Sequence, residues 1–126
     1  MSKIFLVEDD QYLGRVYERA FRMAGHEIQI SVDGADAWKI LSSDSPPPAV
    51  IILDLMLPNI SGTELLTKIN KDDRFDNTPI AVLTNSFSED IEKKIMDAGA
   101  DLFLLKIDYD PKEIVSKIED LIRKGK

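Results

Sequence analysis

The chain has 126 residues, 44% of them hydrophobic and 31% charged, with a net charge of −7. That length suits one domain, 1–126, that buries a single core without staples. The absence of cysteine excludes disulfides, thiol catalysis, zinc–thiolate sites and iron–sulfur clusters, the lone His26 cannot build a multi-histidine metal site, and the acidic balance makes a poor general nucleic-acid binder. No apolar stretch approaches the roughly 20 residues of a membrane span. The N-terminus lacks the apolar region of a signal peptide, so a cytoplasmic location is expected.

Ile4-Phe5-Leu6-Val7 is a short apolar run, the pattern of a strand buried on both faces, and it ends in Glu8-Asp9-Asp10. Leu13, Tyr17, Ala20, Phe21 and Ala24 then recur at helical spacing, with Gly25 as the stop. Ile28, Ile30 and Val32 alternate with polar residues, which suits an edge strand. Asp33 can cap a second helix carrying Ala37, Ile40 and Leu41, with Trp38 alongside, and Pro46-Pro47-Pro48 ends that unit. Ala49–Leu53 is a second buried strand that runs into Asp54. Ser61 and Glu64 form a capping-box pattern before Leu65, Leu66 and Ile69. Pro79–Leu83 is another buried strand, ending at Thr84. Ser88 opens the next helix, with Ile91, Ile95 and Ala98 inward and Gly99 as the stop. Leu102–Leu105 is the fifth strand, ending at Lys106. Asp110, Pro111 and Glu113 start the last helix, which buries Ile114, Ile118, Leu121 and Ile122.

The order is (βα)5, hence an α/β chain with a five-stranded parallel sheet and helices on both faces. A doubly wound 2-1-3-4-5 strand order puts the alternating strand at an edge. Ligands in such sheets bind beyond the carboxyl ends of the strands at the switch point, here between the first and third strands. Glu8, Asp9, Asp10, Asp54, Thr84 and Lys106 all fall on that rim. Apolar runs located these positions, so their convergent chemistry is an independent fact. Three packed carboxylates either hold a proton or bind a cation, and oxygen ligands favour a hard one, Mg²⁺ or Mn²⁺. Glu8, Asp9 and Asp54 with one divalent cation and Lys106 reach zero net charge, so a phosphoryl group could enter without repulsion. An aspartate then forms an acyl phosphate.

Leu6-Val7-Glu8-Asp9-Asp10, Asp54-Leu55-Met56-Leu57-Pro58 with Gly62 downstream, Leu83-Thr84, and Phe103-Leu104-Leu105-Lys106 together resemble the motifs of response-regulator receiver domains of two-component signalling. The resemblance to this CheY-like superfamily covers essentially the whole chain. It implies a flavodoxin-like fold with Asp54 as phosphoacceptor. It implies Glu8 and Asp9 as the acidic metal pair, with Asp54 and the Met56 backbone carbonyl as further ligands of Mg²⁺ or Mn²⁺. Thr84 becomes the switch hydroxyl, Lys106 the contact to phosphoryl and carboxylate, and Phe103 the aromatic switch. A histidine kinase or phosphotransfer protein is the implied donor. A downstream target protein reads the face made by the fourth helix, fifth strand and fifth helix. The chain then assists its own phosphorylation and dephosphorylation rather than acting as an enzyme on free substrate. It reads as a stand-alone receiver, without membrane insertion or direct nucleic-acid contact.

Two positions depart from the family pattern. Ile107 stands where a proline usually follows the lysine, which argues against a cis bond there and for a different hold on Lys106 and a more mobile tail Ile107–Asp110. Asn85 stands where a small residue is usual, placed to crowd the site or hydrogen-bond beside it. Asp10 is read as a helix cap, His26 as a surface residue without a role, Trp38 as remote from Asp54, and Glu89–Lys94 as a solvated helix face. Three other functions compete. A receiver-like scaffold independent of phosphorylation draws on Ile107 and Asn85 alone. A haloacid-dehalogenase-type phosphohydrolase needs a second acid where Met56 stands. A flavodoxin-like electron carrier would find its flavin phosphate repelled by Glu8-Asp9-Asp10.

Overall fold

The computed structural model describes residues 2–43 and 45–126. Five strands, β1 (Lys3–Val7), β2 (Glu27–Ser31), β3 (Val50–Leu53), β4 (Ile80–Thr84) and β5 (Leu102–Leu105), alternate with five helices. The helices are α1 (Gln11–Met23), α2 (Gly34–Leu41), α3 (Gly62–Asn70), α4 (Glu89–Asp97) and α5 (Pro111–Lys124), with single 3₁₀ turns at Asp73–Phe75 and Lys106–Asp108. All strand pairs are parallel, in the order β2-β1-β3-β4-β5. This is the doubly wound flavodoxin-like arrangement expected from the apolar runs, with the alternating strand at the edge. Among the described residues no helix is long and apolar enough to cross a membrane.

Alternation along each strand builds two cores. Phe5, Val7, Ile51, Leu53, Ile80 and Val82 face α2, α3 and α4. Ile4, Leu6, Val50, Ile52, Ala81, Leu83 and Leu104 face α1 and α5, against Tyr17, Phe21, Ile114 and Ile118. Each fully buried aliphatic of this kind contributes about 1.5–3 kcal/mol, so burial on both faces holds the central strands, and with them the rim, in place.

Side-chain caps set where the helices begin. Asp10, Asp33, Ser61, Ser88 and Asp110 each accept a backbone N–H from the first turn of α1 to α5 in turn. At α5 the box is reciprocal, the Asp110 N–H donating to Glu113 at 3.0 Å and the Glu113 N–H to Asp110 at 2.8 Å. At α3 only half of the expected box forms: the Glu64 N–H donates to Ser61 at 3.2 Å, and among the described residues no bond returns from the Glu64 carboxylate. Glu64 is exposed, where water competes for it. Val32 also differs from expectation: β2 stops at Ser31, and Val32 lies exposed in the turn to the Asp33 cap.

His26 is not the surface residue its place after a helix suggests. Gly25, at φ 90°, turns the chain back under α1, and the His26 side chain is only 9% exposed. Its Nδ1 accepts from the Ser2 N–H at 3.3 Å, and its Nε2 meets Glu119 of α5 at 2.8 Å. The Phe21 ring meets the imidazole edge-on.

The loop after β3 is fixed by close backbone approach. A Cβ on Gly62 would lie 2.0 Å from the Asp54 carbonyl oxygen, and one on Gly34 would lie 1.8 Å from that of Ile60. Gly14, inside α1, has open contact only, with Ile30 at 3.9 Å. Gly62→Ala therefore costs about 1–3 kcal/mol through overpacking, whereas Gly14→Ala gains about 0.5–1 kcal/mol in helix propensity. Urea denaturation of the two variants should shift in opposite directions.

Candidate functional site

The β1–β3 register brings the acids together. Val7 pairs with Leu53, so Glu8 and Asp54 leave the sheet side by side. Their backbones are tied down: the Asp54 N–H donates to Val7 at 3.2 Å and the Glu8 N–H to Ser31 at 2.9 Å. Alternation sends Glu8 and Asp54 to the α1/α5 side, in step with Leu6 and Ile52. Thr84, in step with Val82, faces the α3/α4 side, as Phe103 does.

Lys106 closes the cluster. Its Nζ lies 2.5 Å from Glu8 Oε1 and 2.7 Å from Asp54 Oδ2, with the ammonium side chain 9% exposed and that of Glu8 1%. The remaining carboxylate oxygens are held by backbone: the Asp10 N–H donates to Glu8 Oε2 and the Met56 N–H to Asp54 Oδ1, both at 3.3 Å. Burial pushes the Glu8 carboxyl above its ordinary range, although Lys106 works against that rise. For Lys106 burial pulls downward, but the hydrogen bonds and charges of Asp54 and Glu8 outweigh it, so its pKa is raised and the ammonium is held.

Glu8, Asp9 and Asp54 each offer an oxygen, and the three lie within 4.8 Å of one another; among the described residues they are the one group of acids arranged to hold a cation. All-oxygen donors, two of them buried and Asp9 exposed on the solvent side, fit a hard divalent ion that keeps some of its water. Asp10 stays outside the group and caps α1, its carboxylate accepting from the Leu13 N–H at 3.1 Å.

Thr84 is fully buried, and its hydroxyl oxygen accepts from the Ser86 N–H at 3.2 Å. Phe103 is half-buried, its ring 6.2 Å from that of the exposed Phe87. Neither partner of these two residues was legible in the sequence, because both sit in the irregular β4–α4 loop. The structure contains no cis peptide among the described residues, and Ile107 is exposed in the 3₁₀ turn after Lys106. Lys106 nonetheless reaches both carboxylates. Asn85 points to solvent. Trp38 packs at the α2 surface with the Lys68 ammonium 5.8 Å from its ring.

A family model for the response regulator receiver domain matches residues 4–119. Response regulator ArlR of Staphylococcus saprophyticus is 32% identical over 124 residues, which cover 98% of this chain and 54% of that protein. The chain spans about half the length of the curated relatives it matches. The receiver domain of Francisella response regulator 1452 has a TM-score of 0.88 at 22% identity over 98% of both chains, a likeness of fold. The Mn(2+)-bound form of response regulator Rcp1 has a TM-score of 0.85 at 30% identity, over 96% of this chain and 94% of that one.

Removing the ammonium leaves two buried carboxylates facing each other. Lys106→Met should lower the stability of the metal-free protein by about 3–5 kcal/mol, and Mg²⁺ should restore more stability to the variant than it adds to the unaltered chain. Equal Mg²⁺ gains in thermal melts would mean that lysine and cation do not share the carboxylates. The raised Lys106 pKa carries a sign as well. Its contribution is complete below the unfolded lysine value of 10.5 and is lost as pH rises through the higher folded value. The urea midpoint of the unaltered chain should therefore fall more steeply above that pH than that of Lys106→Met.

Proposed function

The chain belongs to the response-regulator receiver family, and from that premise we propose that it takes a phosphoryl group on Asp54 from a partner phosphohistidine in a two-component or phosphorelay pathway. Receiver domains are phosphorylation-controlled signalling domains that bind a divalent metal in an acidic pocket. Residues 1–126 act as a single such unit. The observation that carries the reading is Asp54 itself: a carboxylate ending an apolar strand, bonded to Lys106 at 2.7 Å and within 4.8 Å of the Glu8 and Asp9 oxygens.

In the transfer an Asp54 carboxylate oxygen bonds to phosphorus as the phosphorus–nitrogen bond breaks. The electron pair stays on the donor imidazole, which takes up a proton, and an acyl phosphate results. Glu8, Asp9 and Asp54, with the Met56 carbonyl, would hold Mg²⁺ or Mn²⁺, which when bound neutralises charge on the transferring oxygens. Lys106 brings a second positive charge, already seated on the Asp54 carboxylate. Its protonated state is what the pocket favours, so it meets the incoming oxygens as a cation. Thr84 uses its oxygen as an acceptor from Ser86, which leaves its proton to donate to a phosphoryl oxygen.

Thr84 and Phe103 share the α3/α4 side of the sheet, so a movement of the hydroxyl toward Asp54 vacates space next to the Phe103 ring. Repacking of Phe103 against Phe87 then alters the face made by α4, β5 and α5, which a downstream target protein reads. A histidine kinase or phosphotransfer protein supplies the phosphoryl group, and the chain assists both its gain and its loss.

Incubation with acetyl phosphate followed by intact-mass spectrometry tests this. One added phosphoryl group is expected, dependent on Mg²⁺ and absent from Asp54→Ala. No adduct within a short dead time would sink the proposal and leave a receiver-like scaffold independent of phosphorylation.

A further inference from the structure

The β4–α4 loop carries a large apolar side chain that the phosphoryl chemistry does not use, Phe87. Its neighbours in the chain, Asn85, Ser86 and Ser88, are polar, yet Phe87 places an aromatic ring at the surface, 50% exposed. Among the described residues its one ring contact is Phe103, at 6.2 Å between centroids with the planes tilted by 56°. That geometry lies within the range of attractive aromatic pairs.

The loop is fastened on both sides of Phe87. Before it, the Ser86 N–H donates to the Thr84 hydroxyl oxygen at 3.2 Å. After it, Ser88 caps α4 by accepting from the Ile91 N–H at 3.1 Å. Phe87 is the single residue between these two fixed points, so its ring cannot travel far while both bonds hold. Phe103 is half-buried and packs against the core on the α3/α4 side. A move of Phe103 into the space beside Thr84 therefore takes its ring away from Phe87, and the contact between them is given up. An interaction made in one of two conformations and lost in the other biases the equilibrium toward the first.

We propose that Phe87 is a positioning residue of the switch, its ring holding Phe103 in the half-exposed place until phosphorylation of Asp54 draws Thr84 away. The proposal deepens the reading above and rests on it, with Asp54 as the acceptor and Phe103 as the moving ring. It supplies what Phe103 lacks. A phenylalanine has no hydroxyl to keep it near the surface, and an aromatic neighbour there provides the hold instead. Ser86 joins the two ends of the device: it bonds to the hydroxyl that answers the phosphoryl group and is covalently next to the ring that restrains Phe103.

Beryllofluoride with Mg²⁺, a tetrahedral stand-in for a phosphoryl group on a carboxylate, reports this equilibrium, because apparent affinity scales with the populated fraction of the competent conformation. It is titrated by calorimetry into the full chain, Phe87→Ala, Phe87→Tyr, Phe103→Ala and the double alanine variant. Phe87→Ala should bind about two- to tenfold tighter, the scale of one aromatic pair, and Phe87→Tyr, which keeps the ring, should bind as the unaltered chain does. In the Phe103→Ala background Phe87→Ala should change nothing, since the pair is already gone. With fluorine-labelled phenylalanine, the Phe103 resonance of Phe87→Ala alone should move toward its beryllofluoride-saturated position. Unchanged or weaker affinity in Phe87→Ala overturns the proposal while the Asp54 reading stands. So does a gain of the same size in the Phe103→Ala background, which would mark an effect of the loop that does not pass through the ring. No binding by the unaltered chain overturns the Asp54 reading and this proposal with it.

Discussion

Two carboxylates buried at adjacent strand ends either hold a proton or need a cation between them. Glu8 and Asp54 are in that position, and the Lys106 ammonium resolves it by bonding to both. Each buried ion costs several kcal/mol of lost hydration, so the arrangement holds only while the cation is present. The same constraint makes the site responsive. Anything that competes for Lys106 or for the carboxylates changes the charge balance of a buried pocket, and the surrounding groups must answer.

Why these groups meet follows from the sheet. Parallel strands bring all five carboxyl ends to one rim, and the first polar residue after each apolar run lands there. Alternation then divides the rim between two sides: Glu8, Asp54 and Lys106 on the α1/α5 side, Thr84 and Phe103 on the α3/α4 side. The loop that carries Met56 is pinned where Gly62 and Gly34 admit backbone carbonyls too close for any Cβ, and Asn59 bends it at φ 68°.

α5 is held at both ends. Its start is fixed at the rim by the reciprocal Asp110–Glu113 box, and its second half is tied beneath the sheet by Glu119 to His26. At the same far end Lys126 reaches the Thr78 carbonyl at 3.3 Å and the Asp101 carboxylate at 3.4 Å.

The sequence alone determined the five strands, the caps at Asp10, Asp33, Ser61, Ser88 and Asp110, and the polar residue at each strand end. These are local properties, written in apolar runs, helical spacing and side chains that bond within three or four residues. Only the tertiary structure decided which of those polar groups touch. Lys106 meets Asp54 across 52 residues and His26 meets Glu119 across 93, and no periodicity encodes such partners. Periodicity also left His26 at the surface. It counts where a side chain sits on its own element, while the reach of an imidazole is set by the neighbour packed against it.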